Sequence, residues 1–112
     1  MPERALTQLD LQPQHLALLR KLLHQHLPHV EIWAYGSRVN GDGQDASDLD
    51  LVVRQPANLK QATPQLWAMK EILVESNLPI RVDLVDWAQI PANFQGEIER
   101  AYVVIQPANE KV

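Results

Sequence analysis

The chain has 112 residues, no cysteine, 46% apolar residues and a formal net charge of −4, with a sequence pI near 5.4. That length suits one domain, residues 1–112, built on a single modest core. Lack of cysteine excludes a disulfide framework or thiolate metal site, and the acidic balance argues against direct nucleic-acid binding, which needs a basic surface. No stretch resembles a signal peptide or is apolar enough to span a bilayer, so a cytoplasmic protein without membrane contact is the expectation.

In chain order, Pro13 reads as a first-turn proline. Leu16, Leu19, Leu22, Leu23 and Leu27 follow it at helical spacing, and Pro28 stops the helix. Val30–Tyr35 reads as a strand with Val30, Ile32 and Ala34 on one face and Glu31, Trp33 and Tyr35 on the other. Gly36 ends it. Residues 37–47 are polar and contain Gly41 and Gly43, which predicts a short helix or turn and then a loop. Asp48–Val53 reads as a second strand, followed by a loop over Gln55–Ala62. Thr63 reads as a helix cap and Pro64 as a first-turn proline. The helix they open turns Leu66, Met69, Ile72 and Leu73 inward, and Asn77 and Pro79 close it. Ile80–Asp86 reads as the third strand. Pro91 opens a last helix through Arg100, the run Tyr102–Ile105 is an apolar tail, and residues 106–112 read as frayed. The order predicts an α/β (α+β) fold, a small sheet with helices packed against it.

The most informative stretch is Gly36-Ser37, ten residues, then Asp48-Leu49-Asp50. Asp48 and Asp50 are two apart on a strand and share a face, which leaves Leu49, Leu51 and Val53 on the buried one. In the third strand Asp83 groups with Arg81 and Val85, and Asp86 falls on the opposite face with Val82 and Leu84. If the two strands are neighbours, Asp83 lies beside the Asp48/Asp50 pair. Three carboxylates so placed repel one another, and without a cation one is driven toward protonation. Mg²⁺ answers that need because it takes oxygen ligands and completes its shell with substrate phosphates. Two such ions can hold the attacking and leaving oxygens of an in-line phosphoryl displacement. Gly36 lets a phosphate approach the backbone, Ser37 offers a hydroxyl and an N–H, and Arg38 offers a cation for a triphosphate. The ordinary alternative is that aspartates after a polar loop are turn or capping residues. At residue frequencies of about 5–7%, the four motif positions recur by chance in roughly one chain of this length in a thousand, which favours the functional reading.

Gly36-Ser37, ten residues and Asp48-x-Asp50 resemble the signature of the polymerase-β-like nucleotidyltransferases. The short chain, with Arg81-Val-Asp-Leu-Val-Asp-Trp87 and the tail from Tyr102 to Gln106, resembles their minimal nucleotidyltransferase branch across nearly its whole length. The resemblance implies the nucleotidyltransferase fold, a small mixed sheet with flanking helices. It implies Asp48, Asp50 and Asp83 as metal ligands and catalytic carboxylates, and Gly36 and Ser37 as holders of the triphosphate of ATP. It also implies an antitoxin that transfers AMP to a tyrosine of a HEPN-domain ribonuclease toxin. Three rivals stand beside that reading: an antitoxin that acts by binding alone, a transferase subunit acting on a small molecule, and an RNA-directed transferase, which the acidic charge disfavours.

Other residues have plainer explanations. His15, His24, His26 and His29 read as a solvated helix end, because Pro28 interrupts the one pair with helical spacing. With only one Phe and two Tyr in the chain, at least two of Trp33, Trp67 and Trp87 are expected in the core.

Overall fold

A computed structural model describes residues 3–41, 48–64 and 66–107. Five strands form one mixed sheet in the order β1-β5-β2-β3-β4, where β1 is Glu3–Arg4, β2 is Glu31–Tyr35, β3 is Leu49–Arg54, β4 is Val82–Asp86 and β5 is Tyr102–Gln106. The helices are α1 (Pro13–His26), α2 (Ser37–Asn40), α3 (Leu66–Glu75) and α4 (Ala92–Glu99), with 3₁₀ turns at Leu6–Gln8 and Trp87–Gln89. β2 pairs antiparallel with β3 and β5, and β3 pairs parallel with β4.

The expected helices and the three expected strands are present within a residue or two. Pro13 occupies the first turn of α1, and Pro91 caps α4. The tail is more than a tail. Tyr102–Gln106 is an interior strand, paired with β2 on one side and with β1 on the other. Gln106, expected to fray, is buried, and its amide donates to the carbonyls of Leu27 (2.6 Å) and Val30 (2.8 Å). Those bonds tie the chain end to the turn between α1 and β2. Residues 108–112, and 42–47 of the polar loop, lie outside the described residues.

Both faces of the sheet are covered, so β3 is buried on both sides of its pleat. Leu49, Leu51 and Val53 enter the larger core under α1 and α3, with Leu19, Leu23, Ile32, Met69, Leu73 and Leu84. Val52 points the other way yet is fully buried, in a second cluster with Trp33, Trp87 and Ile98 under α4. The face that carries Asp50 is therefore apolar beyond its first turn, which a single buried face did not anticipate. Trp33 stacks on Tyr102 (3.8 Å between ring centres) and meets Trp87 edge-on (5.6 Å). The Arg54 guanidinium lies over both indoles and pairs with Glu31. Two of the three tryptophans are in the core, as expected, while Trp67 stays 66% exposed on α3.

Thr63 and Asp86 meet across the β3–α3 connection. Asp86 is buried; it accepts the backbone N–H of Thr63 (2.7 Å) and, more weakly, that of Ala88 (3.4 Å). The Thr63 side chain accepts from the Gln55 amide (3.2 Å). Asp86 thus clamps the β3–α3 connection onto the end of β4. Asp86→Ala orphans a buried N–H and is expected to cost about 1–3 kcal/mol of stability in denaturant unfolding. Nucleotide binding by the folded fraction should be unchanged.

Candidate active site

The candidate site forms where the end of β2 lies beside the starts of β3 and β4. The chain leaves β2 at Gly36, which adopts φ 83°, ψ −155°, a conformation that residues with a Cβ rarely take. Its carbonyl accepts the N–H groups of Val39 and Asn40 (both 3.0 Å), which closes the short helix α2. A Cβ built on Gly36 would lie 2.5 Å from Oδ2 of Asp50. The missing side chain is thus what lets the backbone turn pass against the Asp50 carboxylate.

Register assembles the carboxylates. Tyr35 pairs with Asp50 across β2–β3, and Asp50 pairs with Asp83 across β3–β4. The N–H of Leu49 donates to the carbonyl of Arg81 (2.9 Å) and locks β3 against β4 at their start. Directly paired residues of neighbouring strands point to the same face. Tyr35, Asp50 and Asp83 therefore form a row across three strands. Asp48, half-buried, precedes β3 and acts on Asp50 through its charge.

Burial, then the charges of Asp83 and Asp48, raise the Asp50 carboxyl above the ordinary range. Its folded value exceeds its unfolded one, so the protonated form is favoured in the fold. Stability is therefore lost as pH rises through that interval, and at neutral pH the ionised site carries a standing cost. A bound cation would relieve it. Burial, then the charges of Asp50 and Asp83, push the Tyr35 phenol up to about 12, so it stays protonated near neutrality. Asp83 is partly open, with its side chain 44% accessible, and faces Arg81 at 3.6 Å.

Hard carboxylate oxygens suit Mg²⁺, and the Asp50 carboxylate fills the space that a side chain on Gly36 would take. Among the described residues, no three acidic or histidine side chains already converge as a metal-binding group. The metal expectation therefore rests on the Asp50/Asp83 pair with Asp48 nearby, rather than on a closed cage.

Ser37 is the first residue of α2 and half-buried, beside Gly36 as expected. Arg38 is only 5% exposed. Its Nη1 donates to the Asp10 carbonyl (2.7 Å), and the Asp10 N–H donates to the Arg38 carbonyl (2.9 Å). This reciprocal pair braces α2 against the segment before α1. Tyr35 was not singled out from sequence. Alternation had placed it opposite Ile32 and Ala34, and an antiparallel β2–β3 neighbourhood would have set it across from Asp50.

Residues 16–112 match the model of the nucleotidyltransferase domain family. The chain is 40% identical over 105 residues to a probable protein adenylyltransferase MntA of Haemophilus influenzae, covering 94% of this chain and 90% of that one. Two solved structures share the fold. One, a toxin–antitoxin with AMP-PNP, gives a TM-score of 0.67 at 21% identity and covers 85% of this chain and 75% of its own. The other, the toxin–antitoxin MntA–HepT, gives 0.62 at 20% identity and covers 87% and 74%.

Gly36→Ala combines a forbidden φ with a clash at Asp50. It is expected to lower nucleotidyl transfer by about a hundredfold or more, the scale of losing one preorganised electrostatic group, and to cost about 1–3 kcal/mol of stability. Rates and chemical melts of the variant check both effects.

Proposed function

Because this chain belongs to the nucleotidyltransferase domain family, we propose that it is a Mg²⁺-dependent protein adenylyltransferase. In this reading it moves AMP from ATP to a tyrosine of a HEPN-type ribonuclease toxin and so acts as that toxin's antitoxin in the cytoplasm. The observation that carries the reading is the row Asp50–Asp83 held by strand register against the bare backbone of Gly36. Support comes from the 40% identical relative, a probable protein adenylyltransferase, and from the toxin–antitoxin assemblies that share the fold.

Asp48, Asp50 and Asp83 would hold the metal, with two ions in the fullest form of the site. Bound there, Mg²⁺ supplies positive charge to the triphosphate and to the pyrophosphate as it departs. Gly36 and Ser37 take the triphosphate against the turn, and buried Arg38 adds positive charge beneath it. The acceptor phenol oxygen attacks the α-phosphorus of ATP. A phosphorus–oxygen bond to the acceptor forms, the bond to the bridging oxygen of the β-phosphate breaks, and pyrophosphate leaves. Asp83, on the edge strand β4 with its side chain 44% accessible, would accept the phenol proton. Tyr35, protonated at neutral pH, does not serve as the base. An AMP group beside a ribonuclease site adds bulk and negative charge, which obstructs RNA.

The test mixes the purified partner toxin with this protein, ATP and Mg²⁺, and follows the intact mass of the toxin. One or more added AMP groups are expected, with none when Asp48→Asn replaces the wild type. A toxin inhibited but unmodified would identify an antitoxin that acts by binding alone.

A further inference from the structure

A groove of about 540 Å³ runs between helix α1 and the last residues of β5. It lies at the far end of the sheet from the carboxylates: β5 is antiparallel to β2, so Gln106 sits beside Ile32, while the active-site end of β2 is at Tyr35. One wall is a stripe of exposed α1 residues, Ala17, Arg20, Lys21 and His24, at the spacing that shares one helix face. The other is Ile105, Gln106 and Pro107. The Gln106 amide, bonded to the carbonyls of Leu27 and Val30, ties that wall to the turn after α1, so the groove is formed before anything enters it. We propose that this groove docks an extended acidic segment of a partner protein, which adds as a strand to the outer edge of β5.

Charge selects an acidic occupant. The chain carries a net charge of −4, yet Arg20, Lys21 and His24 stand together on one face. Among the described residues no carboxylate pairs with any of them. Two cations and an imidazole on the rim, beside Ala17, Ile105 and Pro107, attract carboxylates and admit small apolar side chains between them. Three such groups are too few for a nucleic acid, whose binding needs a broad basic surface.

The backbone selects an extended occupant. β1 pairs with β5 at Tyr102 and Val103. Beyond Val103 the outer side of β5 has no strand partner among the described residues, and an unpaired edge is a template for a further strand. Spacing agrees with this. Arg20 and His24 are one helical turn apart, about 6 Å along the axis. Same-face side chains of a strand repeat at about 6.6 Å. Acidic groups at alternate positions of the added strand therefore meet successive rim residues.

The proposal does not depend on the transferase reading. Fluorescence anisotropy with the full chain tests it, using a labelled, capped peptide of alternating glutamate and valine, its counterpart with glutamine for glutamate, and an oligouridylate RNA. The acidic peptide should bind at least about tenfold more tightly than the glutamine peptide. Arg20→Ala with Lys21→Ala should weaken it roughly tenfold, the scale of two exposed ion pairs. Both residues are exposed, so no core is removed, and melting curves check that the variant folds. Successive N–H groups of a strand point to opposite edges. Of two acidic peptides N-methylated on the glutamates or on the valines, one should lose binding and the other keep it. No binding of the acidic peptide, equal binding of the glutamine peptide, unchanged affinity in the double variant, or equal binding of the two N-methylated forms would each overturn the proposal. RNA bound more tightly than the peptide would overturn it in favour of nucleic acid. Self-association of the free chain that the double variant abolishes would overturn it in favour of a second copy.

Discussion

Repulsion between carboxylates, held in place by strand register, is the constraint on which the rest of this molecule depends. Asp50 and Asp83 are cross-strand partners, and the Leu49–Arg81 backbone bond fixes their alignment. Asp48 adds its charge from the strand's start. Left to themselves, these groups would separate, and Asp50 feels the cost as a carboxyl raised above the ordinary range. They are kept together because the residues between and beyond them, Leu49, Leu51, Val52 and Val53, are fully buried and leave β3 no freedom to slip. A one-residue slip would send every apolar side chain of β3 to the wrong face. Core packing thus sustains an arrangement that is electrostatically unfavourable.

The two cores divide the work. The larger one, under α1 and α3, anchors the back of β2, β3 and β4. The smaller one, under α4, is aromatic and holds Trp33, Trp87 and Tyr102 around the Arg54 guanidinium. It ends at Tyr35 and Phe94, where the apolar face gives way to the carboxylates.

Much of this was legible in the sequence because it depends on short-range pattern. Strand alternation placed Asp83 with the Asp48/Asp50 face and Asp86 opposite, and the Gly-Ser turn marked where β2 must end. What depends on long-range pairing was not. Tyr102–Gln106 is too short and too near the end of the chain to be distinguished from a tail until β2 and β1 are known to flank it. Arg38 sits in the motif but spends a guanidinium donor on Asp10, 28 positions earlier, a partner no local spacing reveals. Asp86 looks like any strand-end aspartate until the chain connecting β3 to α3 returns over it and presents the Thr63 N–H. Tyr35 and Phe94 are far apart in sequence and meet only because α4 folds over the end of β2.

The claim at the centre is that the site is a strained carboxylate pair awaiting a cation. Nuclear magnetic resonance titration of the Asp50 side-chain carbon, with and without Mg²⁺ and a non-hydrolysable ATP analogue, measures it directly. The account requires an Asp50 pKa above the ordinary carboxylate range in the free protein, raised by burial and by Asp83 and Asp48, and a marked fall once metal and nucleotide are added. A free-state value in the ordinary range, unmoved by Mg²⁺ and nucleotide, would contradict it.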